Sequence, residues 1–301
     1  MFDISTLRWH VFAGGYVCDN HVIDGKKTRC IAPNVMEARE FFLKERFPLK
    51  EDPALFRKFA ATELTEKGVL SFANDWGPLW EAHDMGDQFL DPDFEEENIC
   101  DFTWTYVPVE SWYEEIKTMR ALIELWDVLG SRKEKKLSEV LDIKREADRD
   151  VLQGDVRFKS MPELRWHYFF HEDERPSGVR ELAGMCLLYH INGALWDTCS
   201  PWLRNGHGRD EGISSCLIPH NLDAALWLMF AQEILGEKKL KQCSYCKRHF
   251  ELTAEKDERR GRSDKKYCSP KCRAAAFRDR MENAPVRVEQ KTKGKRAKKG
   301  K

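Results

Sequence analysis

Two kinds of hydrophobic patterning run along the chain. Near the start, "RWHVFAGGYV" and "KTRCIA" are short runs of strand-forming residues, and Asp24-Gly25 between them is a turn signal. Further on the spacing becomes helical. "VMEAREFFLKERF" carries Met36, Phe41 and Phe42 at roughly helical spacing and predicts a helix; "PALFRKFAATEL" and "EKGVLSFANDWGPL" predict two more, both short. "SWYEEIKTMRALIELWDVLG" predicts a long helix. Ser111 and Glu114 stand in capping-box spacing, Trp112, Ile116, Met119, Ile123 and Trp126 share one face, and Gly130 is a candidate C-cap. "RKEKK" and "DIKREADRD" read as a polar helical stretch or linker. "GVRELAGMCLLYHINGALW" predicts a second long helix. "NLDAALWLMFAQEILG" predicts a third, apolar nearly all round and therefore buried. The fold class expected is α+β, a predominantly α-helical body followed by a small C-terminal module. The expected division is an α+β region over 1–107, a helical region packed with it over 108–240, a cysteine module over 241–284 and a basic, disordered tail over 285–301.

Composition alters this picture mainly through charge. Of the 301 residues 42% are apolar, enough for a sizeable core, and 34% are charged, against a usual ~25%. The formal net charge of -1 hides an asymmetry. Residues 241–301 carry 21 Lys and Arg against 8 Asp and Glu, and residues 1–240 carry 29 against 43. A basic end on an acidic body calls for an anionic partner or for contact between the halves. The stretch 81–101 holds nine acidic residues and no Lys or Arg; it reads as a solvated loop, with a phosphate mimic that folds over the basic end as the sharper alternative. The opening "MFDISTLRWH" lacks the basic and apolar regions of a signal peptide, and the longest apolar run, Ala224 to Ala231, is far short of the ~20 residues that span a bilayer. The expectation is a cytoplasmic protein with no membrane partner. Its ten cysteines are then thiols or metal ligands rather than disulfides.

Four of those cysteines carry the chemistry. Cys243-x2-Cys246 is followed after 21 residues by Cys268-x3-Cys272. Zinc takes four thiolates at the corners of a tetrahedron, and a C-x2-C turn brings two of them to one ion. Ser269 and Pro270 suit a helix cap and first turn, so the second pair sits at the start of a helix through "PKCRAAAFRDRMENA". Knuckle, extended "RHFEL", loop and helix make a treble-clef site with one structural zinc, because four protein ligands leave no open position for catalysis. The intervening "EKDERRGRSDKK" is polar throughout. Arg259, Arg260 and Arg262 in that loop, and Arg273, Arg278 and Arg280 on the helix, are candidates for phosphate contact. On the helix, Ala274, Phe277 and Met281 form a stripe expected to pack against the knuckle. The tail "KTKGKRAKKGK" reads equally as a polyanion-binding arm and as a passive one.

"RHFEL" and "YCSPKCRAAAFRDR", with the preceding "NLDAALWLMFAQEILGEKKLKQC", resemble the CGNR-type zinc finger family of bacterial proteins. The likeness covers about residues 215 to 282. The name-giving Cys-Gly-Asn-Arg is replaced by Cys272-Arg273-Ala274-Ala275, and the second pair is spaced more tightly. The resemblance implies an auxiliary domain before a zinc module and a role as a DNA-binding transcription regulator.

Other residues offer weaker chemistry. His167 and His171 in "HYFFHEDE", beside Glu172 and Asp173, would form a metal or acid–base site on a helix, but "WHYFF" reads at least as well as a strand, which breaks that geometry. Surface or structural histidines are the favoured reading. Cys18, Cys30, Cys100, Cys186, Cys199 and Cys216 read as core thiols, and His249 as a neighbour of the metal site. No phosphate-cradling glycine loop or nucleophile elbow is present. The leading expectation is a zinc-containing nucleic-acid-binding protein, with DNA ahead of RNA and a possible homodimer or protein partner. The alternatives are a protein-docking module with structural zinc, and an enzyme using His167, His171 and Glu172.

Overall fold

The computed structural model describes residues 9–34, 43–46, 51–80, 106–131, 134–147, 151–196, 198–205, 213–236, 240–252 and 265–282. The chain forms two compact units, Met1–Leu240 and Lys241–Lys301. The first mixes helix and sheet; the second is small and carries the four cysteines.

Unit 1 opens with β1 (Trp9–Phe12), β2 (Tyr16–Ile23) and β3 (Lys26–Pro33). Asp24 and Gly25 join β2 to β3 with φ of 49° and 75°. Positive φ at both central residues is the geometry of a two-residue hairpin turn, so the turn signal holds. The helix expected over "VMEAREFFLKERF" does not reach its end. Residues 35–42 lie outside the described residues, and Leu43–Arg46 is a strand, β4, antiparallel to β1. Pairing with β1 satisfies backbone groups that local helical spacing cannot foresee.

Helices α1 (Leu55–Ala60) and α2 (Glu66–Trp76) follow. The Thr65 hydroxyl caps α2 by accepting the Gly68 N–H at 3.1 Å. The acidic stretch 81–101 lies outside the described residues. Strand β5 (Val107–Pro108) then joins β3 and runs straight into α3 (Val109–Gly130). The expected capping box does not form: Pro108 is the N-cap and makes no side-chain cap bond. Burial of Val107 and Val109 starts the helix ahead of Ser111.

The polar stretch after α3 departs most from expectation. It forms a short helix, α4 (Glu134–Val140), and then a strand, β6 (Leu141–Ala147), which pairs with β7 (Val151–Phe158) and through it with β8 (Arg165–His171). "DIKREA" is therefore strand and not helix or linker. The body is accordingly a mixture of helix and sheet. Helix α5 (Val179–Trp196) is as expected; a hairpin of β9 (Cys199–Asn205) and β10 (Ile213–Pro219) separates it from α6 (Leu222–Ile234). Asn221 caps α6 by accepting the Ala224 N–H at 2.8 Å, and almost every α6 side chain is buried.

Helices α1, α3, α5 and α6 enclose the core, where Phe56, Phe59, Trp112, Met119 and Phe230 are sealed from solvent. Arg57 ties three of them at the core's edge. Its guanidinium donates to Glu233 on α6 at 2.7 Å and to Asp127 on α3 at 3.0 Å. No described helix is long and apolar enough to cross a membrane. Strand β11 (Leu240–Gln242) begins at the last residue of unit 1 and pairs with β12 (His249–Glu251) of unit 2, in which α7 (Pro270–Glu282) follows. The connecting residues 237–239 lie outside the described residues.

Candidate metal centre

The first cysteine pair sits on a tight knuckle. Lys247 N–H donates back to Cys243 O at 3.0 Å, and Cys243 N–H donates to Arg248 O at 2.9 Å. Closing that turn puts Lys247 at a φ of 61°, in the left-handed region. The second pair is set by the helix start. The Ser269 hydroxyl accepts the Cys272 N–H at 3.2 Å, which places Cys272 in the first turn of α7 with Cys268 just ahead of it. A backbone bond from Ser244 N–H to Lys266 O, 2.9 Å, joins the two halves.

These constraints bring the four sulfurs of Cys243, Cys246, Cys268 and Cys272 within 4.8 Å of one another. Cys246 Sγ lies 3.6 Å and Cys272 Sγ 3.5 Å from Cys268 Sγ. A disulfide would require about 2.05 Å. The edge of a tetrahedron with metal–sulfur bonds of about 2.3 Å is about 3.8 Å, close to what is found. The donor set therefore fits a metal ion. Cys243, fully buried, is held down at about 6: burial raises its pKa, but the N–H groups of Cys268, Cys246 and Tyr245 more than offset that. Cys268 is pushed up to about 12 by burial and by the neighbouring thiols. Four thiolates packed this closely repel one another unless a cation lies among them.

The rotation of α7 follows from the metal site. Cys272 must face inward, and the residues on its side of the helix are Ala275 and Ala276; all three are half-buried. Ala274 and Phe277 point elsewhere. Ala274 is exposed and Phe277 is 59% exposed. Ala274 and Phe277 of the expected stripe are thus not on the packing face, because inward-facing Cys272 selects a different one; the Met281 side chain lies outside what is described. Arg273, Arg278 and Arg280 are exposed. Arg280 is held by two contacts: Nε donates to Ala276 O at 3.1 Å and Nη2 to the Tyr267 hydroxyl at 3.3 Å. Sequence reasoning missed this role of Tyr267. Arg259, Arg260 and Arg262 lie outside the described residues, as does the tail from 283 on.

The other candidates separate. His167 and His171 lie on β8, whose burial alternates residue by residue, and both are on its exposed face. Four residues along a strand is ~13 Å, too far to share an ion. His167 Nδ1 pairs instead with Asp155, its neighbour across β7. Among the described residues neither histidine belongs to a metal-competent group. Cys186 is fully buried and pushed up to about 12 by that burial; Cys18 and Cys199 rise to about 11, chiefly for the same reason. Thiols of this kind are packing residues, not nucleophiles. Cys100 and the Cys216 side chain lie outside what is described.

Unit 1 holds one cluster that spacing could not reveal. Asp223, in the first turn of α6, is 6% exposed, and its Oδ1 has no hydrogen-bond partner among the described residues. Burial holds its carboxyl well above the usual range, and Glu115 on α3 adds to the effect; the indoles of Trp227 and Trp80 partly offset it. Glu115 itself is pushed up to about 7 by burial and by Glu114.

No protein-family model matches the chain, and no curated protein and no solved structure is significantly similar to it.

Proposed function

We propose that unit 2 is a treble-clef module holding one structural zinc, and that it binds nucleic acid through the exposed faces of α7. The observation that carries this reading is the opposition of two faces on one helix. One side delivers Cys272 to a four-sulfur cluster, while the rest presents Arg273, Arg278 and Arg280 to solvent. The centre has four thiolate donors and no open ligand position, the pattern of a folding site rather than a catalytic one. Arg259, Arg260 and Arg262 add positive charge to the same unit. The resemblance to CGNR-type zinc fingers accords with a regulator acting on DNA in the cytoplasm.

Two measurements test this. Protein purified from zinc-replete cells should carry one zinc per chain; less than half an equivalent in a folded module rejects the centre. Affinity for a random duplex should fall with salt at a log–log slope of roughly -4 or steeper, and a chain ending at Leu240 should not bind. A slope near zero rejects nucleic acid and favours a protein dock.

A further inference from the structure

Phe277 poses a question that the metal site does not answer. Among its described residues unit 2 buries only two side chains: Phe250 is 8% exposed, with Lys265 Nζ 5.2 Å from its ring centroid, and Cys243 is sealed. A module so short of core nevertheless leaves a phenyl ring 59% exposed. Two of its four neighbours on the helix surface, Arg273 and Arg280, are charged; the other two are Ala274 and Met281. Arg273, Phe277 and Arg280 stand at i, i+4 and i+7 and so line one face of α7. Arg280 is braced by Tyr267 and Ala276, whereas Arg273 has no side-chain partner among the described residues.

Resting on the reading of unit 2 as a nucleic-acid binder, we infer that α7 takes an unpaired strand, with Phe277 stacked on one exposed base and Arg273 and Arg280 on the phosphates either side. A duplex hides the faces of its bases and offers only phosphates and groove edges, for which a phenyl ring has no hydrogen-bonding use. A single strand offers both a π-face and a phosphate on each side of it. The surplus of 21 basic over 8 acidic residues in this part of the chain argues for a polyanion rather than an apolar protein surface. The recognised chemistry, base plus flanking phosphates, is common to single-stranded DNA and RNA.

The test uses full-length, zinc-loaded protein and labelled oligo(dT), oligo(U) and a duplex of equal length, read by fluorescence anisotropy. At least one single strand should bind about tenfold more tightly than the duplex. Phe277→Ala should cost about tenfold on that strand and leave duplex affinity and zinc content unchanged. Phe277→Trp should retain binding, and because all ten tryptophans of the chain precede residue 241, the new emission should be quenched by the strand. Phe277→Leu should behave as alanine does, since it keeps apolar surface but no π-face. Equal binding of strand and duplex, or single-strand affinity within twofold of wild type in Phe277→Ala, overturns the inference and leaves the phosphate-binding reading intact. Wild-type behaviour of Phe277→Leu likewise overturns it. Failure to bind any of the three probes at low salt overturns the parent reading instead.

Discussion

Asp223 is the residue whose ionisation costs unit 1 most directly. A carboxyl raised above its unfolded value binds more protons in the native state than in the unfolded chain. Its linkage term therefore lowers stability as pH rises from the ordinary carboxylate range, near 4, toward its folded value. Glu115, raised to about 7, acts in the same direction over the window from about 4.5 to 7. Asp223→Asn keeps the shape and the acceptor for Trp80 and Trp227 but removes the proton. The expected outcome is a variant that gains stability relative to wild type as pH rises from 5 to 8. Urea unfolding followed by tryptophan emission at pH 5 and pH 8 measures it; a constant difference between the two proteins across that range would show that the pair does not titrate on unfolding. Nothing in the spacing of "NLDAALW" announces this residue, since an aspartate after a capping asparagine ordinarily faces solvent and favours the helix N-terminus. Its surroundings are set by tertiary structure: its N–H donates to Leu79 O at 3.1 Å, and Trp80 and Glu115, both remote in sequence, act on its carboxyl.

At the scale of elements, what could be read from sequence divides by contact range. Helices α3, α5 and α6 are legible because their signal is local: apolar residues on one face, or all round, over 13 residues or more. The β2–β3 turn is legible because Asp-Gly is among the few pairs that adopt two positive φ angles. Strand β6 is not. Its lysine, arginine and glutamate are good helix formers, and only Leu141 and Ile143 hint at alternation. What makes it a strand is β7, and the sheet has one conspicuous tight point. Gly154 stands opposite Arg145 and Tyr168, and a Cβ there would lie 2.0 Å from Lys144 O and 2.7 Å from the Tyr168 hydroxyl. That hydroxyl also donates to Lys144 O at 3.1 Å. Gly154→Ala must therefore push the β6 backbone off β7 and displace the Tyr168 hydroxyl. It should destabilise unit 1 by about 1–3 kcal/mol, whereas Tyr168→Phe, which loses only the hydrogen bond, should cost about 1 kcal/mol or less. Urea midpoints of the two variants check the ordering; a Gly154→Ala protein as stable as wild type would mean the three strands do not pair as described.

At the scale of the whole molecule, the two units draw their stability from different sources. Unit 1 rests on a continuous apolar core; among its described residues unit 2 buries only Cys243 and Phe250, beside a cluster of four sulfurs that could hold a metal. The metal signal was legible because ligand chemistry demands particular residues at particular spacings. The face that α7 turns outward was not, because Cys272 fixes the rotation and a hydrophobic stripe does not. The sources separate experimentally. A zinc chelator should unfold unit 2 alone, so tryptophan emission, which reports only residues 1–240, should stay native while helical circular dichroism falls by roughly the share of the 13 residues of α7. Nucleic-acid binding should disappear with that change and return when zinc is added. Cys243→Ser should reproduce the chelated state at any zinc concentration below the millimolar range, because loss of one thiolate weakens the site by several orders of magnitude. If chelation instead shifts tryptophan emission to that of the unfolded chain, the core of unit 1 cannot stand without the metal. If chelation leaves binding untouched, the arginines of α7 do not form the interface, and the basic residues of the loop and tail carry the contact on their own.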